Sequence, residues 1–502
     1  MGTKYNFGNL NRRDFLKAGA AATAALGAAS CSSVKPIDSH SKMGNATDPV
    51  KVAIVQSSKP NAADLNYSDI LSLVENAVDL AGGFGDLINN GDVVVLKPNI
   101  MCLWINSTEE KLQPEINGVT TDWRVSRAVV ELVRRHNPDG KVFILEGSAF
   151  QQTKLAMDSL NYTYAHIPGV DAFVPLEDVS GYEEWDSPNL VSVTLPDGLS
   201  LYPDHMKPNK SQAFYFSKLY YEADVVISLP VLKNHHYTGI TGAIKNVGIG
   251  SSPPTIYGHP EVYDLTSATP PSIAGKYGKR IGLNRSKKIN HDTYYLGMWI
   301  HDYYRCRPVD FVVTDGLQGS QNGPDIPRPT GAKCLEENQM NMRLILAGRD
   351  ALAVDCIHAL VIGMDPYKVD HLSFLKSSGT GCMDPAEIRI AGKPVHEVKK
   401  PFAMNSPRAG KKLYKDFEPP ELAIDQAQIK DDRLKLVLSV DRKKVMKVVV
   451  EMNGKPVGEP VFRDFEDISL EPGPFTGKGE TITVYAYDHY LNCSRATARI
   501  HT

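Results

Sequence analysis

The sequence lacks closely spaced cysteines, and this absence removes the usual signal for a bound metal cluster. Seven cysteines are spread along 502 residues, and no two of them form a Cys-x-x-Cys pair. Iron–sulfur clusters and zinc knuckles are normally held by such pairs. The cysteine pattern therefore does not support an iron–sulfur cofactor. In an oxidising compartment some of these cysteines could form disulfides, but the sequence does not show which ones would pair.

Basic blocks and long apolar runs are missing as well. The 55 lysines and arginines are balanced by 58 acidic residues, which gives a net charge of −3. Without a concentrated positive stripe, nucleic acid is not an expected partner. The Ala- and Gly-rich stretch 18–30 is too short and too poor in large side chains to stay in a bilayer as a spanning helix.

The first 31 residues predict an export signal. Residues 11–17 read Asn-Arg-Arg-Asp-Phe-Leu-Lys, which matches the twin-arginine signal, and the Ala-rich stretch follows at once. We therefore expect the twin-arginine machinery to export the folded protein to the periplasm or cell envelope. Cys31 follows Ala28-Ala29-Ser30, an order similar to a lipoprotein processing site, although Ala28 stands where leucine is usual. Lipidation of Cys31 would anchor the protein to a membrane, whereas ordinary cleavage nearby would leave it soluble.

The middle of the chain predicts an α/β domain. Residues 32–49 are polar and aperiodic, which is typical of a tether. Residues 50–400 alternate apolar strands with helical stretches, so we predict a mostly parallel sheet with helices on both faces. Two long inserts, 151–215 and 251–300, are too long for simple connections, and we expect them to cover the carboxyl edge of the sheet as lids.

The tail differs in composition from the middle. Residues 401–430 are rich in proline, lysine and acidic residues, which indicates a linker. Residues 431–502 contain alternating strands and an Asn453-Gly454 hairpin signal. These features predict a small all-β sandwich that is similar to immunoglobulin or fibronectin modules.

Polar residues are concentrated in the stretch 231–250, directly after the apolar run 223–230. In a parallel sheet the strand ends share one edge, so polar residues that follow different strands should converge in one cleft there. We expect Asp350 to reach that edge too. We assign ligand binding to Lys97, Asn99, Lys233, Thr238, Thr241, Lys245 and Asn246, and catalysis to His235, His236, Glu146, Asp315 and Asp355.

Each role follows from side-chain chemistry. The three lysines can hold carboxylate, phosphate or sulfate. A histidine can serve as general acid or base with a carboxylate partner, and we prefer His235 to His236. A divalent metal is an alternative, with His235, Asp315, Asp355 and His371 as weak candidate ligands, because adjacent histidines seldom chelate one ion alone.

The ordered set of motifs resembles the family catalogued as domain of unknown function 362. The matching pieces are Val-Leu-Lys97-Pro98-Asn99, the segment 232–248, Asp315-Gly316, the segment 347–355 and the segment 369–372, within about residues 50–395. The resemblance implies a fold and a site rather than a reaction. Many relatives carry a ferredoxin-like module, and the cysteine pattern for such a module is missing from this sequence.

Three functions fit these observations. The preferred one is an exported enzyme that acts on an anionic or polyhydroxylated small molecule or glycan through a Lys/His/carboxylate cleft. Hydrolysis, lyase chemistry and proton abstraction beside a carboxylate all suit this set of residues. The alternatives are a metal- or cofactor-dependent redox protein and a noncatalytic solute-binding lipoprotein.

Export should depend on Arg12 and Arg13, because paired guanidinium groups are the recognised element of this signal. We expect the double change of Arg12→Lys and Arg13→Lys to leave uncleaved precursor in the cytoplasm, as measured by cell fractionation and immunoblotting. Lys4→Arg, outside the motif, is the control and should export normally. Unimpaired export of the double variant would refute the assignment.

Overall fold

A computed structural model of the protein describes residues 50–100, 112–147, 153–176, 188–195, 197–204, 207, 212–251, 293–323, 337–471 and 479–500. The export signal, the tether and Cys31 lie outside these ranges. Residues 252–292 also lie outside them, so the expectation that they form a lid stays a prediction.

The α/β body is built on a large central sheet, whose strands lie between residues 51 and 392. Its strands are β1 (Lys51–Gln56), β2 (Val93–Pro98), β3 (Lys141–Glu146), β4 (Ala172–Pro175), β7 (Val225–Leu229), β8 (Val231–His235), β9 (Gly239–Ile240), β10 (Phe311–Ser320), β11 (Leu344–Gly348) and β12 (Arg389–Gly392). Two further strands, β5 (Leu190–Val193) and β6 (Phe214–Ser217), form a separate hairpin. The order is β12-β1-β11-β10-β7-β2-β3-β4, and β8 pairs with β10 and with β9. The predicted mostly parallel α/β sheet is confirmed.

Helices connect and cover these strands. They are α1 (Tyr67–Leu80), α2 (Trp123–His136), α3 (Thr153–Ser159), α4 (Lys218–Glu222), α5 (Gly242–Gly250), α6 (Thr293–Cys306), α7 (Ala351–Val361), α8 (Asp370–Ser377), α9 (Val395–Val398) and α10 (Pro407–Gly410), with 3₁₀ turns at Ala62–Asp64 and Pro366–Lys368. Local sequence explains their ends. Asn66 and Asp69 form a capping box at the start of α1, and α2 ends in Arg134, Arg135 and His136, which suit the negative end of a helix dipole.

The centre of the sheet is apolar on both faces. β2, β3 and β7 contribute fully buried valine, leucine and isoleucine side chains to one large core, as expected for parallel strands covered by helices. Polar side chains are therefore tolerated only where these strands end. This places Lys97, the next-to-last residue of β2, and Glu146, the last residue of β3, at the carboxyl edge.

In the strand order from β12 to β4, β11 runs against the other strands, and this corrects the prediction for Asp350. β11 is antiparallel to β1 and β10, with Leu344 opposite Gly316 and Gly348 opposite Val312. The end of β11 therefore lies at the opposite edge from the end of β10. Asp350 accepts a hydrogen bond from Ala353 N at 3.0 Å and caps α7 there, so it does not reach the predicted cleft.

The stretch 231–250 forms regular structure rather than a loop. It contains β8, β9 and α5. Pro230 has no N–H and so separates β7 from β8, yet its carbonyl accepts from Asp315 N at 2.8 Å and keeps both strands along β10. Asp315 lies inside β10 rather than after the end of a strand. The predicted insert 151–215 likewise supplies β4, which pairs with β3 at the end of the sheet, and the β5–β6 hairpin.

The tail is a small sandwich of antiparallel sheets. Its strands are β13 (Leu422–Lys430), β14 (Arg433–Val440), β15 (Lys447–Met452), β16 (Lys455–Pro456), β17 (Asp467–Leu470), β18 (Thr481–Tyr487) and β19 (Cys493–Arg499). They form sheets of order β13-β14-β17 and β16-β15-β18-β19, packed around their own core. Asn453 and Gly454 both have positive φ at the predicted hairpin turn.

The stretch 401–430, predicted as a linker, is structured. Its last part is β13, which pairs along its length with β14. Its first part packs on the α/β body, where Phe402 is buried and its N–H donates to Ile362 O at 2.9 Å. Proline and charge content misled the prediction because backbone hydrogen bonds and a few buried side chains were enough to order the stretch. Of the helices within the described residues, none is both long and apolar enough to cross a membrane.

The body and the sandwich should fold separately, since the large core of the sheet and the core of the sandwich share no residue. A chain ending at Glu421 should keep the circular dichroism of an α/β protein but melt at a lower temperature. It loses the stack of Tyr490 on Tyr414, whose ring centroids lie 4.4 Å apart. Aromatic pairs contribute about 0.5–1.5 kcal/mol. An insoluble truncated protein would show that the sandwich completes the core of the body.

Candidate functional site

A buried ion pair lies at the carboxyl edge of the central sheet. Lys97, at the end of β2, has no solvent exposure, and its Nζ donates to Glu146 Oε1 at 2.7 Å, Pro98 O at 2.7 Å and Asn246 Oδ1 at 3.2 Å. Three acceptors match the three donors of an ammonium group. Glu146, at the end of the neighbouring strand β3, also accepts from Ile100 N and Gly147 N.

Burial acts on both members of this pair. It lowers the pKa of Lys97 and raises the pKa of Glu146, and the opposite charge of each partner counters the shift. The carboxylate receives three hydrogen bonds and the ammonium donates three, which favours the ionised pair. Glu146 is thus the counter-ion of Lys97.

Helix α5 packs its amide and glycine residues against the pair. Asn246 donates from Nδ2 to Lys97 O and Ser228 Oγ, while its Oδ1 accepts from Lys97 and from Asn99 Nδ2 at 3.3 Å. A Cβ at Gly250 would lie 2.5 Å from Glu146 Oε1 and 2.6 Å from Lys97 Nζ. The helix therefore approaches this closely only because residue 250 is glycine.

Two further lysines lie in the same region. Lys233 in β8 is fully buried, and its Nζ donates to Val119 O at 2.5 Å. Lys245 follows one turn into α5. Burial is the largest cause that lowers the pKa of Lys245 to about 7, and the positive charges of Lys233 and Lys97 lower it further. Three lysines thus share one neighbourhood, and Glu146 is the carboxylate bound to one of them.

Lys245 differs from the other two lysines. Its side chain is partly exposed. Within the described residues Lys245 forms no ion pair, whereas Lys97 is paired with Glu146. The pKa of His371, which is fully buried on α8, is lowered by burial first and then by the charges of Lys412 and Lys245. Lys245 is accordingly the lysine of this group that a ligand could reach.

Buried polar atoms without a hydrogen-bond partner surround this region. Asn99 Oδ1, Thr241 Oγ1 and both ring nitrogens of His371 lack partners among the described residues. Thr241 is the residue that directly precedes α5. Buried polar atoms are rarely left unsatisfied in folded proteins. Such atoms beside a cluster of cations indicate a place where a polar ligand can bind.

The histidines of 231–250 are engaged in turn formation. His235 Nδ1 accepts from Tyr237 N at 3.1 Å and Thr238 N at 3.3 Å, so a neutral ring carries its proton on Nε2. His236 N donates to Gly323 O at 3.0 Å, and Ser406 Oγ donates to His236 O. The Thr238 hydroxyl donates to Ile240 O. These contacts close the β8–β9 turn, and a general acid/base role for either histidine stays a prediction.

The two predicted catalytic aspartates hold backbone in place. Asp315 accepts from Asp122 N and Leu317 N, while Asp355 accepts from Ala243 N at 2.6 Å and Ile244 N at 3.0 Å. Burial raises the pKa of each carboxyl to about 7. Asp355 therefore caps α5 from α7, and a Cβ at Gly242 would lie 2.5 Å from its carboxylate.

The weak metal-ligand candidates do not come together. Within the described residues, no group of three or more His, Cys, Asp or Glu side chains is placed to share a metal ion. His235, Asp315 and Asp355 each accept backbone N–H groups instead.

Sequence reasoning missed several residues that shape the site. His358 is fully buried on α7, and burial lowers its pKa to about 3. Its spacing of three residues from Asp355 on one helix face could have signalled it. Gly250 and the carbonyl of Val119 were also missed, because their roles depend on packing that no local pattern records.

Residues 94–359, more than half of the chain, match the family described as domain of unknown function (DUF362). The chain belongs to this family. Residues 9–29 match the twin-arginine translocation pathway signal sequence, which confirms the predicted signal and supports export across the cytoplasmic membrane.

A thylakoid-associated protein of Synechocystis, sll1697, is 23% identical over 361 residues, which cover 69% of this chain and 90% of the relative. Similarity to solved structures is weak. The glycoside hydrolase domain of Endo-D from Streptococcus pneumoniae R6 is 14% identical over 18% of this chain and 15% of that chain, with a TM-score of 0.14. The spore cortex lytic enzyme SleM of Clostridium perfringens is 9% identical over 88% of this chain and 78% of that chain, with a TM-score of 0.18. Such low scores carry no argument about this DUF362 protein.

The contact of α5 with the ion pair can be tested by Gly250→Ala. The new methyl group would displace Lys97 or Glu146, and overpacking typically costs about 1–3 kcal/mol. We expect this loss in the free energy of unfolding from urea denaturation. Gly85→Ala is the matched control, because Gly85 is exposed and its Cβ would meet nothing closer than 3.9 Å. Equal stability of the two variants would contradict the described packing.

Proposed function

We propose that this DUF362 protein is an exported enzyme that binds a small anionic molecule beside Lys97, Lys233 and Lys245. The supporting observation is the charge balance of the region: three lysines are neighbours, and the carboxylate of Glu146 is committed to Lys97. Cations held close together in a buried site repel one another, and an anion relieves that repulsion. Carboxylate, phosphate and sulfate all fit this chemistry.

The unpartnered polar atoms suit a ligand that also carries hydroxyl groups. Asn99 Oδ1 can accept a hydrogen bond, and the Thr241 hydroxyl can donate one to an anionic oxygen. A hydroxylated acid or a sugar acid or phosphate supplies both partners. This supports the polyhydroxylated or glycan class of ligand within the same proposal.

Two other proposals concern the ends of the chain. A lipid anchor at Cys31 would keep the exported protein at a membrane. The strand orders β13-β14-β17 and β16-β15-β18-β19 support an immunoglobulin- or fibronectin-like module, in which two antiparallel sheets face each other. We assign this module a spacing or docking role, because every residue of the proposed site lies in the α/β body.

The anion site can be tested with inorganic phosphate as the probe. Lys245→Ala should weaken phosphate binding, measured by isothermal titration calorimetry, by about 1.5–3 kcal/mol, the range for hydrogen bonds to charged groups. Because the change also removes a repelling charge, the variant should unfold at the same or a higher temperature than the wild type.

Lys393→Ala is the matched control, since it removes the same charge from an exposed i,i+4 ion pair with Glu397. It should leave phosphate binding unchanged. An equal loss of phosphate affinity in both variants would mean that phosphate binding depends only on the net charge of the protein. The absence of saturable binding to the wild type, with sulfate and acetate also inert, would refute the proposed site.

A further inference from the structure

A second group of reactive side chains lies where α6 packs against α8. A Cβ at Gly297 would lie only 2.9 Å from the Cβ of Asp370, so the two helices approach this closely because residue 297 is glycine. His301 follows one turn later on the same face of α6, and its ring meets the ring of Phe374 edge-on, with centroids 6.2 Å apart. This packing brings the buried His301 to Ser378, the residue directly after α8.

Three side chains are joined in a line at this contact. Asp302 Oδ1 lies 2.7 Å from His301 Nδ1, and His301 Nε2 lies 3.1 Å from Ser378 Oγ. Because a carboxylate only accepts hydrogen bonds, Nδ1 carries the proton of a neutral ring, and Nε2 keeps its lone pair toward the serine. A hydroxyl group beside a histidine that a carboxylate orients is the arrangement that activates a serine nucleophile.

The carboxylate of Asp302 is itself held in place. Asp302 is fully buried, and its Oδ2 accepts from Ser200 Oγ at 2.6 Å and from Tyr202 N at 2.8 Å. Its Oδ1 also accepts from Leu201 N at 3.0 Å. These three donors fix the carboxylate and thereby the orientation of the His301 ring, so Asp302 is a positioning residue.

Ser378 is the member of the group that solvent reaches. Its side chain is exposed, and a Cβ at the next residue, Gly379, would meet nothing within 4 Å. In addition to the contact with His301, the Ser378 hydroxyl donates to Leu375 O at 2.9 Å and lies 3.2 Å from Thr380 Oγ1. Rotation about the Cβ–Oγ bond is enough to turn its hydrogen from the carbonyl to the histidine.

We propose that Ser378 is the nucleophile of a second activity, the hydrolysis of carboxylic esters, with His301 as its general base. The inference does not rest on the proposed anion site. The carbonyl groups at the end of α8 form the negative end of a helix dipole, which gives little help to a developing oxyanion. An ester suits such a site better than an amide, because an alcohol leaves more readily than an amine.

The reaction needs water and no other co-reactant. Ser378 Oγ attacks the carbonyl carbon of the ester while its proton passes to His301 Nε2. The bond between the carbonyl carbon and the alcohol oxygen then breaks, and the alcohol leaves with that proton, which gives an acyl-serine. Water attacks the acyl carbon and gives a proton to His301. The acid is released as the proton returns to Ser378 Oγ.

Ser377 provides a matched control within the same turn. It is exposed like Ser378, and its hydroxyl donates to Ser373 O at 2.8 Å, which is the same kind of contact with a helix carbonyl. Among the described residues, no histidine nitrogen lies within hydrogen-bond distance of Ser377 Oγ. If Ser378 only capped α8, the two serines should react alike.

The test is labelling of the exported full-length protein with diisopropyl fluorophosphate, together with hydrolysis of p-nitrophenyl acetate. Peptide mass mapping should find the diisopropylphosphoryl group on Ser378 and not on Ser377. Ser378→Ala should abolish both reactions, whereas Ser377→Ala should leave both unchanged. His301→Gln should slow both reactions by about 100- to 10,000-fold, the range for general acid–base catalysis.

The positioning role of Asp302 has its own measurement. Within the described residues, Asp302 is the carboxylate paired with His301, and it favours the protonated ring. Asp302→Asn should therefore slow labelling and also move the rise of the labelling rate to lower pH. A purely structural role would lower the rate without moving the pH profile.

The outcomes are independent of the proposed anion site, because phosphate binding is measured separately. Labelling of Ser378 no faster than that of Ser377 would overturn the inference. So would hydrolysis of p-nitrophenyl acetate by Ser378→Ala at the rate of the wild type. Loss of phosphate binding with labelling of Ser378 intact would refute the anion site and leave the esterase standing.

Discussion

The buried pair of Lys97 and Glu146 is the interaction on which the site depends. It joins the ends of two neighbouring parallel strands and fixes the backbone beyond both of them through Pro98 O, Ile100 N and Gly147 N. It also sets how closely α5 approaches, through Asn246 and Gly250. Removal of one partner from a buried ion pair typically costs about 3–5 kcal/mol, because the remaining charge is left uncompensated. The pair is therefore both structural and a condition for the rest of the site.

The same pair explains why positive charge accumulates nearby. Since Glu146 is saturated by Lys97 and backbone N–H groups, it cannot neutralise Lys233 or Lys245. Asp355 lies on the neighbouring helix α7, but its carboxylate accepts hydrogen bonds from N–H groups in the first turn of α5. Folding thus brings three lysines together and engages the nearby carboxylates elsewhere. Natural proteins accept such destabilising arrangements mainly at functional sites.

Much of the fold was predictable because it follows from local patterns. Residues 67–80 have the apolar spacing of a helix and form α1 with these bounds, and short apolar runs form β2, β3 and β7. The Asn453-Gly454 turn followed from turn chemistry alone. The direction of β11 did not, because strand direction depends on pairing between distant segments. The expectation that Asp350 lies at the cleft assumed that β11 is parallel to its neighbours, and it therefore placed Asp350 at the wrong edge of the sheet.

The sequence by itself determined the export signal, the alternation of strands and helices, and the concentration of lysines and amides in 231–250. These are local properties, set by residue type and spacing. Only the tertiary structure decided which polar residues are engaged in structural hydrogen bonds and which remain available to a ligand. Lys97, Glu146, Asp315 and Asp355 were all predicted to line one cleft, yet packing paired the first two and engaged the last two with backbone N–H groups. Lys245 was set apart for a physical reason that no motif records: a charge is costly where burial and like charges meet.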